Sequence, residues 1–144
     1  MANCASFTIA YPGAAASSNH GYATALRRSK RTGKLYMSLR MTPEAKAFKD
    51  EVTMLAKQAF HFAEWYPKPD AALTVRIRGE FPNKRHSDVH NLSKFILDGI
   101  EDALDAICEG GYNDRAWGLE VFPPEYREGL PTINVEVKGE HRTG

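Results

Sequence analysis

Two stretches of the chain alternate apolar and polar positions with the two-residue period of a half-buried strand. Residues 6–11 place Phe7, Ile9 and Tyr11 on one side. The clearer stretch is 73–81, where Leu73, Val75, Ile77, Gly79 and Phe81 alternate with Thr74, Arg76, Arg78 and Glu80; this predicts a strand with one core face and one wet, basic face. Two other stretches repeat at helical spacing. Thr42-Pro43-Glu44 has a capping hydroxyl, a proline where its missing N–H costs nothing and an acid near the positive end of the dipole. Ala45, Phe48, Val52, Leu55, Ala56 and Ala59 follow on one face, which predicts a helix to about Phe62, with Pro67 and Pro69 beyond it. Leu92, Ile96, Gly99, Ile100, Ala103 and Ile107 predict a second helix over about 91–107, closed by Gly110-Gly111. Short strands are expected over 118–122 and 132–137, the latter alternating Ile133, Val135 and Val137. Residues 12–34, rich in Gly, Ala, Ser and basic side chains, lack an apolar period and read as a long, mobile basic loop, interrupted by Tyr22 and followed by a short extended segment at 35–39. The order predicts an α+β fold, a single domain over 1–144 with a mixed β-sheet and two main helices packed on it.

A length of 144 residues suits one sizeable core. With 42% hydrophobic and 26% charged residues the composition is that of a globular chain, which argues against disordered, collagenous or disulfide-scaffold classes. No apolar run approaches membrane-helix length and no signal-like segment opens the chain, so a cytoplasmic protein is expected. Cys4 and Cys108 have no CxxC spacing and fit two reduced thiols.

Charge changes the picture more. The net charge is only +1, yet the first acid is Glu44, and Arg27, Arg28, Lys30, Arg31, Lys34 and Arg40 precede it. The remaining 101 residues carry 13 basic and 18 acidic side chains. A chain that is +6 over its first third and −5 thereafter has a basic arm suited to a polyanion. Arg76 and Arg78 on the wet strand face, with Lys84 and Arg85 beyond it, would extend a phosphate-binding track.

The candidate chemistry lies in Ser87-Asp88-Val89-His90-Asn91-Leu92-Ser93-Lys94, followed by Asp98 and by Tyr112-Asn113-Asp114-Arg115. Asp88 and His90 would point the same way in an extended segment and diverge in a helix, so a shared site requires the helix to begin after His90. Asn91, Lys94 and Asp98 recur at helical steps, and Asp114 could return from the turn beyond. Carboxylates gathered in this way suit Mg²⁺, which takes one or two of them plus phosphate oxygens. Phosphodiester hydrolysis would use such an ion to polarise the phosphate and acidify a water, with Lys94 stabilising the transition state. The plainer alternative makes Asp88 a helix cap, His90 an exposed turn residue, and Asp98 and Asp102 solvating groups. His86 and His90 at i, i+4 raise zinc as well, without the HExxH pattern or thiolates that would support it.

In order and spacing these residues resemble the RusA family of Holliday junction resolvases, whose pattern is Asp-x-Asp-Asn-Leu-x-Lys, an Asp four residues on and a later Asp-Asp pair. Here Asp88-Val89-His90-Asn91-Leu92-Ser93-Lys94, Asp98 and Asn113-Asp114 occupy those places. The likeness extends over nearly the whole chain, including Pro12, Ser18-Asn19 and the Thr42 helix. It implies a RusA-like fold and a homodimeric, Mg²⁺-dependent endodeoxyribonuclease, bacterial or phage-encoded, that cuts four-way DNA junctions by paired nicks in recombination and repair. It further implies Asp88 and Asp114 as metal ligands and Lys94 as a catalytic lysine, while Asp98 is a candidate to replace a missing carboxylate ligand. His90 stands where the family often has its second acid, and Asn113 replaces the first Asp of the later pair. Imidazole suits Mn²⁺ better than Mg²⁺; His90 could instead act as general base. Two other expectations stay open: a non-catalytic branched-DNA-binding protein of the same fold, and a nuclease for other branched or RNA substrates.

Overall fold

The computed structural model describes residues 3–13, 22–86, 88–108, 111 and 117–139. In chain order these form β1 (Cys4–Ala10), β2 (Tyr22–Arg28), β3 (Leu35–Met41), α1 (Pro43–Phe62), β4 (Leu73–Phe81), α2 (Ser93–Ile107), β5 (Trp117–Val121), β6 (Glu125–Tyr126) and β7 (Thr132–Gly139). One 3-10 turn, Val89–Leu92, leads into α2. Five strands make a mixed sheet of order β1-β7-β4-β5, with β6 also on β4. β7 runs antiparallel to both β1 and β4, whereas β5 and β6 run parallel to β4. The predicted α+β class, mixed sheet and two helices are present.

α1 begins as its sequence dictates. Thr42 Oγ1 accepts from Ala45 N at 3.3 Å, Pro43 opens the first turn, and Ala45, Phe48, Val52, Ala56 and Phe60 are buried along one face. It ends in a Schellman motif: Glu64, at φ 52°, donates its N–H to His61 O, and Trp65 N–H reaches Phe60 O at 3.1 Å. The Trp65 ring lies 5.5 Å from that of Phe60 and supplies the hydrophobic contact that accompanies this cap. The left-handed backbone, which usually takes glycine, is held here by a glutamate.

The two helices meet at Gly99. A Cβ there would lie 2.7 Å from Val52 Cγ1 and 2.9 Å from Lys49 O, so only glycine permits the approach. Thr53 Oγ1 donates to Gly99 O at 2.9 Å across the same crossing. β4 shows the strict alternation its sequence predicts, with Leu73, Val75, Ile77, Gly79 and Phe81 buried, and β7 contributes Ile133, Val135 and Val137 to the same core.

Two expectations are corrected and one strand is added. The stretch 12–34 is not loop throughout: residues 22–28 form β2, which pairs antiparallel with β3 in a separate two-stranded sheet from Tyr22↔Met41 to Arg28↔Leu35. Its Ala and Thr content hides the alternation, and its partner strand lies a turn away. Helical structure starts at Val89, before His90 and not after it. Residues i and i+3 eclipse in a 3-10 turn, and this brings Val89 and Leu92 together into the core, both buried. Finally, the edge beyond β5 resumes as β6. Phe122 N–H still reaches Ile77 O and Arg127 N–H reaches Phe81 O, while Pro123 and Pro124, without N–H donors, interrupt the ladder between them.

Candidate functional site

Phe81, the last residue of β4, is 2% exposed and anchors the segment that carries the candidate chemistry. Its ring stacks on His86 at 3.7 Å with the planes 7° apart and meets Tyr11 edge-on at 5.2 Å. His86 Nε2 is 2.9 Å from Tyr126 Oη, so β6 helps hold the loop that leaves β4. By spacing alone His86 belongs only to the i, i+4 zinc pair with His90; its place two residues before Asp88 is the signal for its role in the loop. Within that loop Asn83 Oδ1 accepts from Arg85 N at 2.8 Å, a local turn that leaves Lys84 and Arg85 exposed.

Asp88 is extended, with φ −61° and ψ 125°, and caps the 3-10 turn: its Oδ1 accepts from His90 N at 3.0 Å, and its carbonyl accepts from Asn91 N. The plainer alternative for Asp88 is thus present as geometry, and only Oδ1 is engaged in it. Both Asp88 and His90 are exposed. Ser93 Oγ donates to His90 O at 2.7 Å and fixes the step from the 3-10 turn into α2. Lys94, exposed, follows in the first turn of α2, with Asp98 one turn further on.

Asp98 is half-buried and faces α1. Burial pushes its carboxyl above the ordinary range and nearby Asp102 adds to this, while Lys94 and Lys49 oppose it. Lys49 Nζ contacts Asp102 at 3.0 Å, and that hydrogen bond holds its ammonium above the usual value. Because the folded carboxyl of Asp98 binds its proton more tightly than the unfolded one, it removes stability as pH rises through and above the carboxylate range. Asp98→Asn is therefore expected to gain stability over the parent at about pH 7 relative to about pH 3, where both carboxyls are protonated; urea unfolding at the two pH values measures the difference. An unchanged difference would place Asp98 in an effectively aqueous setting.

Among the described residues no three of His, Cys, Asp and Glu gather into a metal-holding group. Of the predicted set, Asp88 and His90 adjoin through the cap, Lys94 and Asp98 share a helix face, and Asp114 lies outside the described residues.

The predicted basic residues separate into two classes. Arg76 lies 3.2 Å from Glu120 and 3.6 Å from Glu136, and Arg78 lies 3.2 Å from Glu125 with its guanidinium over the Phe122 ring. The Arg76 Nε contact is an ion pair without hydrogen-bond alignment. Around these arginines the open sheet face forms a shallow groove of about 520 Å³. Glu80, Asn134 and Thr8 continue a polar ladder across it, Asn134 Nδ2 donating to Glu80 Oε1 and Thr8 Oγ1 to Asn134 Oδ1. This face is charge-compensated, and the basic face expected from the alternation of β4 alone is corrected accordingly: the neutralising glutamates come from β5, β6 and β7. By contrast, none of the ion pairs among the described residues involves Arg28, Lys30, Arg31, Lys34, Lys84 or Arg85, all of which are exposed. Arg27 precedes this group at the register position opposite Tyr36.

Among the described residues no helix is long and apolar enough to cross a membrane. Comparison of the chain with protein-family models and with curated proteins yields no match.

Proposed function

We propose that the chain is a metal-dependent endodeoxyribonuclease of the RusA kind, which resolves four-way DNA junctions by paired nicks and acts as a homodimer in recombination and repair. The observation that carries this reading is the exposed Asp88 carboxylate in the segment that follows β4, with Oδ2 outside the cap, exposed Lys84 and Arg85 just before it and Lys94 after it. An exposed carboxylate beside cations fits a Mg²⁺ or Mn²⁺ ion that keeps most of its waters and shares phosphate oxygens. Asp88 and Asp114 would hold the ion, with His90 and Asp98 as the further candidates. When bound, the ion supplies polarisation of the phosphate and a more acidic water. The chain's own groups would do the rest: Lys84 and Arg85 fix the backbone by charge, Lys94 stabilises the charge that develops on the phosphate, and His90 takes a proton from the attacking water.

A second reading, binding of branched DNA without cleavage, is favoured by the capping role of Asp88. The two are separated by offering a synthetic four-way junction and its linear arms with Mg²⁺ or Mn²⁺ to the parent, Asp114→Asn and His90→Ala. The expected result is junction-selective nicking that is lost in Asp114→Asn while binding is kept. Binding with no metal-dependent cleavage supports the second reading, and cleavage unchanged in Asp114→Asn overturns the proposed ligand set.

A further inference from the structure

The β2–β3 hairpin is a two-stranded ribbon whose backbone pairing is confined to itself among the described strands. Its seven-pair ladder corresponds to roughly 23 Å at about 3.3 Å per residue. Met41, at its base, packs on the main core, whereas every residue from Lys30 to Leu35 at the far end is exposed. That end is a built turn. Ser29 N–H donates to Lys34 O and Gly33 N–H to Ser29 O, both at 2.9 Å, and Ser29 Oγ accepts from the amides of Arg31 and Thr32. Gly33 sits at φ +70°, and Arg28 Nη1 reaches across to Gly33 O at 2.9 Å. The turn thus engages the backbone amides of Ser29, Arg31, Thr32, Gly33 and Lys34 and presents Lys30, Arg31 and Lys34 from that frame. No acid occurs before Glu44, so nothing in this segment neutralises them.

We propose that this ribbon is a duplex-docking element whose cationic tip enters the major groove of a DNA arm, with Lys30, Arg31 and Lys34 contacting the phosphates that border it. The inference rests on the reading that the chain binds DNA and adds where, and in which groove, the contact is made. Charge selects the ligand: three exposed cations within five residues, outside the ion pairs of the described residues, match a closely spaced row of phosphates. Width selects the groove, because a two-stranded ribbon fits the major groove, about 12 Å across, and not the minor groove, about 6 Å across. The open face of the main sheet is the competing surface, and it is already paired internally through Arg76 and Arg78.

The test uses the full chain, a four-way junction and a linear duplex, with fluorescence anisotropy over a salt series. Replacing Lys30, Arg31 and Lys34 together with alanine is expected to weaken binding at least tenfold at low salt. It should also reduce the slope of log affinity against log salt by about 2 to 3, near one for each phosphate contact removed. Arg76→Ala with Arg78→Ala should leave that slope unchanged. Lys30→Arg with Lys34→Arg should restore the parental slope, which separates charge from any effect on the turn. Dimethyl sulfate protection should appear at guanine N7 in the major groove and not at adenine N3 in the minor groove. Parental binding with an unchanged slope in the alanine variant, or protection only at adenine N3, overturns the ribbon proposal and leaves the DNA reading standing. A parental chain that fails to bind either DNA overturns both.

Discussion

Phe81→Ala should destabilise the fold by about 3–5 kcal/mol, the range for removing a fully buried aromatic side chain. For a chain of this size that corresponds to a fall in Tm of roughly 10–15 °C. Three features place Phe81 at the upper end. The residue closes the core at the end of β4, it packs edge-on against Tyr11, and it carries the stacked His86 ring. The space around it is also fitted closely: a Cβ on Gly79 would collide with the Phe81 ring and lie 2.7 Å from Val89 Cγ2, so the neighbours cannot fill the lost volume without backbone movement. Tyr126→Phe is the matched control, since it removes only the His86 contact on an exposed side chain and should cost under about 1 kcal/mol. Chemical denaturation of both variants checks the pair. A loss below about 1 kcal/mol in Phe81→Ala would mean that the end of β4 is not part of the cooperative core.

The same residue explains why much of the fold was legible in the sequence. Where burial is set by one element's own period, the pattern is sufficient: β4 has the predicted bounds, and the Thr42-Pro43 start of α1 and its buried face are as expected. Burial that depends on a partner is harder to see. Among the described strands β2 and β3 pair only with each other, in a small separate sheet, and the run Tyr22-Ala23-Thr24-Ala25-Leu26, without a sustained apolar alternation, reads as loop. The open face of β4 shows the limit more sharply. Arg76 and Arg78 alternate with core residues and look like a basic track, yet their counter-charges are Glu120, Glu125 and Glu136, more than forty residues away in sequence. Local spacing cannot report a neighbour brought in by sheet topology.

The candidate site was legible as a list and less so as an arrangement. The Asp88–Lys94 spacing marked the right segment, the turn between a core strand and a core helix. Its local geometry places Val89 and Leu92, two apolar residues inside the motif, together in the core by a 3-10 turn. That turn directs Asp88 and His90 to solvent and gives Asp88 a backbone partner. Exposed cations outside the ion pairs of the described residues precede the site in the sequence, at the hairpin tip and at Lys84-Arg85, so the exposed positive charge expected of Arg76 and Arg78 lies on those residues instead.

Asp88→Asn should retain the fold and lose metal-dependent cleavage by on the order of 10³-fold, if Asp88 is the ligand proposed above. The estimate follows from transition-state stabilisation of several kcal/mol supplied through a bound metal, at about 1.4 kcal/mol for each factor of ten. Asparagine is the informative replacement because the cap that the structure shows for Asp88 and the ligand role proposed for it make different demands. As a cap it needs one oxygen to accept from His90 N–H, and an amide oxygen does this nearly as well as a carboxylate. As a ligand for a hard divalent ion it needs the negative charge, which asparagine lacks. Asp88→Ala removes both and should therefore also cost about 1 kcal/mol of stability. The comparison is made by thermal unfolding of the three proteins and by single-turnover cleavage of a four-way junction in Mg²⁺ and Mn²⁺. Equal stability for the parent and Asp88→Asn, with cleavage lost in Asp88→Asn, assigns the charge to chemistry. Cleavage kept in Asp88→Asn, with stability lost only in Asp88→Ala, assigns Asp88 to the turn alone and removes it from the ligand set.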